Sequence, residues 1–179
     1  MSYGLLGSMQ PIHPEIRHKV FVTYHHGGDQ SYYDDFSNAF HDIYDVIYDN
    51  SLERRVDSDD INYVMRRIRE NHIAGSSCTI VLVGKDTWGR KYVDWEIMAT
   101  LEKEHALIGV QLPTAARSDE NQIIVPGRLY DNIQSGFALW LTWQQITASA
   151  TQLQQYVAEA KTRGTGLIDN ARDRRLRNA

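Results

Sequence analysis

Apolar and polar residues fall in blocks along this chain, and the period changes from block to block. Lys19 to Tyr24 (Lys-Val-Phe-Val-Thr-Tyr) is short, β-branched and aromatic, and predicts a strand. His25-His26-Gly27-Gly28-Asp29-Gln30 breaks it, the two glycines permitting a tight turn. From Ser31 to His41, Tyr32 or Tyr33, Phe36 and Phe40 share one face of a predicted helix. Ile43 to Tyr48 predicts a second strand, closed by Asp49-Asn50-Ser51 and a charged loop to Asp60. Ile61, Val64, Met65 and Ile68 stand at i, i+3, i+4 and i+7 and predict a second helix. Asp57, Ser58 or Asp59 is its expected cap; Arg66, Arg67 and Arg69 suit its C-terminal dipole, and Gly75 breaks it. Cys78 to Val83 lacks polar alternation, so it predicts a central parallel strand covered on both faces. Tyr92 to Glu104 follows as a third helix, with Val93, Ile97 and Leu101 stacked at intervals of four, and Leu107 to Val110 as a fourth strand.

This succession of strands and helices predicts an α/β fold: an open, mostly parallel sheet flanked by helices in three layers. The pattern weakens after Gln111. Pro113 to Asn121 is polar and turn-like, and Ile123 to Val125 suggests a short edge strand. Asn132 to Trp143 is too apolar to stand free in water and should pack on the core or on a partner. Ala148 to Lys161 predicts a further helix, giving a C-terminal helical extension. The expected organisation is an N-terminal extension (1–18), an α/β core (19–112), a C-terminal extension packed on it (113–168) and a charged tail (169–179) expected to fray.

Composition narrows the class. Apolar residues make up 42% of the 179, charged residues 23%, and the net charge is −4, an ordinary globular balance with no electrostatic footprint for nucleic acid. The single cysteine, Cys78, excludes an intramolecular disulfide and a cysteine-based metal site, and its strand context predicts a buried, inert thiol. No apolar run approaches the length of a membrane span, and the first residues do not resemble a secretory signal.

Candidate chemistry gathers beyond the carboxyl ends of the predicted strands. There a doubly wound sheet binds ligands, and helix N-termini present free N–H groups. Two loops matter: Tyr24 to Asp29 after the first strand, and Gly84 to Lys91 after the central one. If those strands are neighbours, both loops line one crevice, and Glu96 projects into it from the third helix. Such a carboxylate could bond ribose hydroxyls or stabilise positive charge on an anomeric carbon as a glycosidic bond breaks. Alternatively, Glu96 is a solvated residue pairing with Arg90, Lys91 or Lys103. Trp88 or Tyr24 could stack on a base or a nicotinamide ring. His25 fits a loop rim or a contact with phosphate or ribose, and with His26 and Asp29 a metal site is conceivable. Asp49 either shapes the crevice or caps a turn. A phosphate loop fails at Gly84-Lys85, because position 79 is Thr and position 86 is Asp. Gly-x-Gly-x-x-Gly and Gly-x-Ser-x-Gly are absent.

Three segments carry a family likeness. Lys19 to His25 resembles the first strand of TIR-like domains, an apolar run ending in Ser or Thr, an aromatic and often His. Cys78 to Trp88 resembles their central strand and following loop, and Tyr92-Val93-Asp94-Trp95-Glu96 their aromatic–x–x–x–Glu helix opening. Within that family the chain most resembles the bacterial TIR-like proteins of the Thoeris antiphage defence system, over roughly residues 19–112. The resemblance implies a TIR/flavodoxin-like three-layer fold in the cytoplasm and cleavage of the nicotinamide–ribose bond of NAD, with NAD as substrate and no cofactor or metal. It implies Glu96 as the catalytic glutamate and Tyr24, His25, Asp49, Trp88 and Tyr92 at the substrate. It further implies cyclisation of ADP-ribose into a diffusible signal nucleotide that activates a partner effector, homo-oligomerisation on activation, and no nucleic-acid or membrane partner. Some relatives act only as adaptors or sensors. The alternative is therefore a non-catalytic interaction module, with Ile133–Trp143 as its docking surface. A flavodoxin-like nucleotide-binding domain should carry a Ser/Thr-rich loop after strand one, which Tyr24–Gln30 lacks.

Overall fold

A run of six apolar or β-branched residues, Cys78–Val83, forms the centre of the sheet, every one of them buried. This computed structural model describes residues 18–47 and 60–179. Its strands are β1 (His18–Thr23), β2 (Tyr44–Ile47), β3 (Cys78–Val83), β4 (Ala106–Gln111) and β5 (Leu139–Thr142). They pair in parallel in the order β2-β1-β3-β4-β5. The helices are α1 (His26–Phe40), α2 (Ile61–Arg67, continued by a π-helical stretch over Ile68–His72), α3 (Lys91–Glu102), α4 (Gly127–Gln134), the single turn α5 (Trp143–Ile146) and α6 (Ala150–Lys161).

Strand side chains point to alternate faces, and the cores separate accordingly. On one face Val20, Val22, Cys78, Ile80, Leu82, Ile108 and Val110 pack against Tyr33, Phe36 and Phe40 of α1, Ile146 of α5 and Leu153 and Val157 of α6. On the other, Val81, Val83 and Leu107 meet Val93, Ile97 and Leu101 of α3 and Leu129 of α4. Phe21 is covered by Val64, Met65 and Ile68 together with Trp95 and Ala99 of α3. Each such side chain contributes roughly 1.5–3 kcal/mol of burial, which is why a two-sided parallel sheet can dispense with polar alternation.

Four expectations change. α1 begins at His26 rather than Ser31: the His25 carbonyl accepts from Asp29 N at 2.9 Å, and the His25 ring folds back over the first turn. A Cβ on residue 27 would lie 2.9 Å from His25 Nε2, so glycine sits inside the helix for clearance rather than as a breaker. The cap of α2 is Asp60, one residue beyond the candidates, whose carboxylate accepts from the N–H groups of Asn62 and Tyr63. Ile123–Val125 forms no strand, only a bridge between Ile123 and Arg117, whereas β5 emerges from within the apolar Asn132–Trp143 run.

The fourth change is the tail. Asp169–Ala179 does not fray but lies across α3 and α4, and a fully buried arginine holds it. The Arg128 guanidinium donates to Asp94 Oδ1 at 3.0 Å, to Asn170 Oδ1 at 2.6 Å and to the Arg172 carbonyl at 2.9 Å. Asp94 in turn accepts from Arg175 N at 2.9 Å, and Trp95 Nε1 donates to the Arg175 carbonyl at 2.7 Å. At the far end Asn178 Oδ1 accepts from Lys91 N at 2.9 Å, capping α3 with a residue remote in sequence. Charge density made this segment read as solvated, but its charges and carbonyls satisfy a buried cation. Removing one member of a buried pair strands the other, at about 3–5 kcal/mol. Arg128→Ala should therefore lower the unfolding free energy in urea by about that amount and open residues 169–179 to limited proteolysis; an unshifted midpoint with the tail still protected contradicts this account.

Candidate functional site

Parallel order β2-β1-β3-β4-β5 creates one topological switch point: the chain leaves β1 to one side for β2 and crosses back to β3 on the other. Ligand crevices of open α/β sheets lie there, beyond the carboxyl ends of the strands. Thr23, Tyr24 and His25 emerge from β1 at this edge, and Gly84, the short helical turn Thr87–Gly89 and the start of α3 emerge from β3.

Glu96 is the sixth residue of α3, on the face that packs against the sheet, and is only 2% exposed. Its Oε2 accepts a hydrogen bond from the Oγ1 of Thr23, the last residue of β1. Its carbonyl accepts from Thr100 Oγ1 at 2.8 Å, and Thr100 is itself 2.8 Å from Thr79 Oγ1 on β3. The solvated alternative, pairing with Arg90, Lys91 or Lys103, does not describe so buried a side chain. β1 and β3 are indeed neighbours, and Glu96 touches the residue immediately before the Tyr24–Asp29 loop.

A second carboxyl closes the same edge. Asp29, in the first turns of α1, accepts from Thr87 Oγ1 at 3.0 Å, and Thr87 Oγ1 accepts from Gly84 N at 2.9 Å. A Cβ on residue 84 would stand 2.0 Å from Asp29 Oδ1, so only glycine lets the β3 exit approach this carboxyl. Burial raises the Asp29 pKa; the Thr87 hydroxyl and nearby His25 pull it back in part. His25 is 9% exposed, and its Nδ1 is buried without a hydrogen-bond partner among the described residues. His26 Nδ1 instead lies 3.1 Å from Gln30 Oε1, so His25, His26 and Asp29 do not converge as metal ligands. Cys78 lies fully buried in the core, where burial pushes its thiol up to about 12, leaving no nucleophile at neutral pH.

The remaining candidates disperse. Tyr24 is buried, its ring stacked on Tyr33 at 4.6 Å and its hydroxyl donating to Gln30 Oε1 at 3.0 Å, so it forms wall rather than stacking platform. Tyr92 lies edge-on to Trp95 at 5.4 Å on the α2 side of α3, with Lys91 Nζ 4.9 Å from its ring centre. Trp88 is 36% exposed and lines an open groove of about 370 Å³ with Asp94, Pro126, Gly127, Arg172 and Arg175. Asp49 lies outside the described residues. Thr23 and Thr100 are invisible to a hydrophobic pattern, because threonine in a strand or helix mimics valine; nothing singles out Thr87 within the Gly84–Lys91 loop, and Asp29 reads from sequence only as the end of a crevice-lining loop and a conceivable metal ligand.

Sheet order and site together define a doubly wound α/β domain with a buried glutamate at its switch point. Residues 21–117, more than half of the chain, match the family described as Thoeris protein ThsB, TIR-like domain. The chain belongs to that family. The matched span runs from within β1 through β4 and holds both carboxyls of the site; α4, β5, α5, α6 and the tail lie outside it. No curated protein matches the chain. Among the described residues no helix is long and apolar enough to cross a membrane.

The Asp29 shift has a sign that can be tested. A carboxyl whose folded pKa lies above its ordinary 3.8 contributes stability that is complete below that value and is lost as pH rises through the raised one. Asn at position 29 keeps an acceptor for Thr87 and has no such loss. Asp29→Asn should therefore gain stability relative to the parent as pH rises from below 3.8 to neutrality in paired urea titrations; a gap that stays constant with pH would count against a buried, pKa-raised carboxyl.

Proposed function

We propose that this protein cleaves the N-glycosidic bond between nicotinamide and ribose in NAD, with Glu96 as the catalytic anion. The observation that carries the reading is the burial of Glu96 at the β1/β3 switch point, hydrogen-bonded to Thr23. As the bond breaks, its electron pair leaves with the pyridinium nitrogen, so nicotinamide departs neutral and positive charge develops at the ribose carbon. A fixed, water-shielded carboxylate stabilises that oxocarbenium-like state more than the ground state, and that difference is catalysis. Water attacking the carbon yields ADP-ribose and one proton; a nucleophile within the ADP-ribose yields a cyclic product and likewise releases one proton. The enclosure of Glu96 and its membership of the Thoeris TIR-like family support the cyclising outcome as a signal to a defence effector.

The other residues take supporting roles. The start of α1 lies at this edge, where the positive end of the helix dipole favours an anion, and together with His25 it suits the diphosphate. Tyr24 walls the crevice from the α1 side; Trp88 and Tyr92 face other surfaces and take no part in this crevice, and Asp49, outside the described residues, is kept as a candidate for the substrate. NAD is consumed, so no cofactor enters the reaction. Homo-oligomerisation on activation and a cytoplasmic site of action belong to the same reading. The alternative, a non-catalytic interaction module, relied on Ile133–Trp143 as a docking surface. That segment supplies β5, and Phe137, Leu139 and Leu141 are buried in the core.

Incubation of the full chain with NAD, followed by mass analysis of all products, should yield nicotinamide with ADP-ribose or a cyclic isomer. Glu96→Gln should reduce nicotinamide release by at least about 10²–10³-fold, the range for losing one preorganised electrostatic group, at unchanged circular dichroism. Undiminished release from that variant would sink the assignment.

A further inference from the structure

Three threonines interrupt an otherwise apolar interface between the sheet and α3: Thr23 on β1, Thr79 on β3 and Thr100 on α3, all fully buried. Valine has the same shape and would cost nothing to bury, whereas a buried hydroxyl is unfavourable unless hydrogen-bonded. Each of the three is bonded, and all the bonds lead to Glu96. Thr23 Oγ1 donates to Glu96 Oε2. Thr100 Oγ1 donates its single proton to the Glu96 carbonyl at 2.8 Å, so in the 2.8 Å contact between Thr79 and Thr100 the donor must be Thr79. The chain of donation therefore runs from β3 through α3 to the Glu96 main chain, while β1 holds the Glu96 side chain. β1 and β3 are paired, with Phe21 opposite Thr79 and Thr23 opposite Val81, so the two supports are fixed relative to each other by the sheet itself.

We infer that Thr23 is a positioning residue for Glu96: its hydroxyl fixes the orientation of the carboxylate, while the Thr79–Thr100 pair fixes the backbone that carries it. This rests on the reading of Glu96 as the reacting anion. Preorganisation is the largest electrostatic contribution a protein makes to such a step, and a carboxylate free to rotate would spend part of it on reorienting. Thr23 reaches substrate only through Glu96, so its loss should lower turnover and leave affinity largely intact.

The test uses the full chain with Thr23→Val, which removes the hydroxyl at constant shape, and Thr23→Ser, which keeps it. With Thr23→Val, kcat for nicotinamide release should fall about 10- to 100-fold with KM within about twofold, and Thr23→Ser should restore most of the loss. Should the valine variant fail to fold, Thr23→Ala carries the same expectation. Parental kcat in the folded Val or Ala variant overturns the inference, as does a Thr23→Ser protein as slow as Thr23→Val. A second readout separates this from the function itself. The Glu96 carboxyl ¹³C resonance, assigned by its absence in Glu96→Gln, should move in Thr23→Val at fixed pH even if the parent turns over no NAD. Absence of turnover in the parent would fell the proposed function, and a resonance unmoved by Thr23→Val would fell the positioning role.

Discussion

A carboxylate shut between a parallel sheet and a helix sets the terms for much of this molecule. Burial removes the water that would solvate Glu96, and an ionised group so placed is tolerable only if the protein supplies donors in its stead. The Thr23 hydroxyl meets that need at one carboxylate oxygen, from the adjacent strand. The requirement explains a threonine where packing alone would favour valine. It also explains why the sheet must bring β1 and β3 side by side: the donor comes from β1, and the backbone carrying the acceptor is braced from β3.

α3 is then held from two sides by different chemistry. Its inner face is fixed by threonine hydroxyls and by Val93, Ile97 and Leu101 in the core. Its outer face is strapped by the C-terminal segment through Asp94 and the buried Arg128. Asp94 and Glu96 are two residues apart and point in different directions, one carboxylate structural, the other at the switch point. Asn178 caps the helix at Lys91, so the strap also reaches the loop that flanks the crevice. Across that crevice, Asp29, Thr87 and Gly84 tie the start of α1 to the exit of β3. The two loops of the site are thereby braced by side chains rather than left to pack by shape.

Much of this was legible from sequence, for physical reasons that also mark where reading fails. β3 was predicted residue for residue, because a strand covered on both faces has no polar positions to confuse its limits. α3 and the placement of Glu96 follow from an apolar stripe at intervals of four, Val93, Ile97 and Leu101, behind that strand. β5 was hidden, because Leu139–Thr142 adjoins Phe137 and Trp143 and the apolar run shows no single period. The start of α1 is hidden by the Gly27-Gly28 pair, which reads as a turn although Gly27 gives clearance to the His25 ring above it. The strap is hidden because charge reads as solvation, while its contacts with Arg128 span more than forty positions. Within the site, Glu96 stood out through its type and place; Thr23, Thr87 and Thr100 became visible only with the hydrogen bonds they make. Trp88 and Tyr92, close in sequence to Glu96, lie away from it: Trp88 sits on the separate turn before α3 and lines another groove, and Tyr92 lies on a different face of α3 against Trp95.

The proposed reaction requires the nicotinamide-bearing ribose of NAD at the carboxyl edge between β1 and β3, beside residue 96. The most direct measurement is a crystal structure of the Glu96→Gln chain with NAD bound. The ribose carbon that bears nicotinamide is expected beside the substituted side chain at position 96, with the diphosphate over the first turn of α1 near His25. NAD seated elsewhere, for instance in the Trp88 groove with its ribose remote from residue 96, would contradict it.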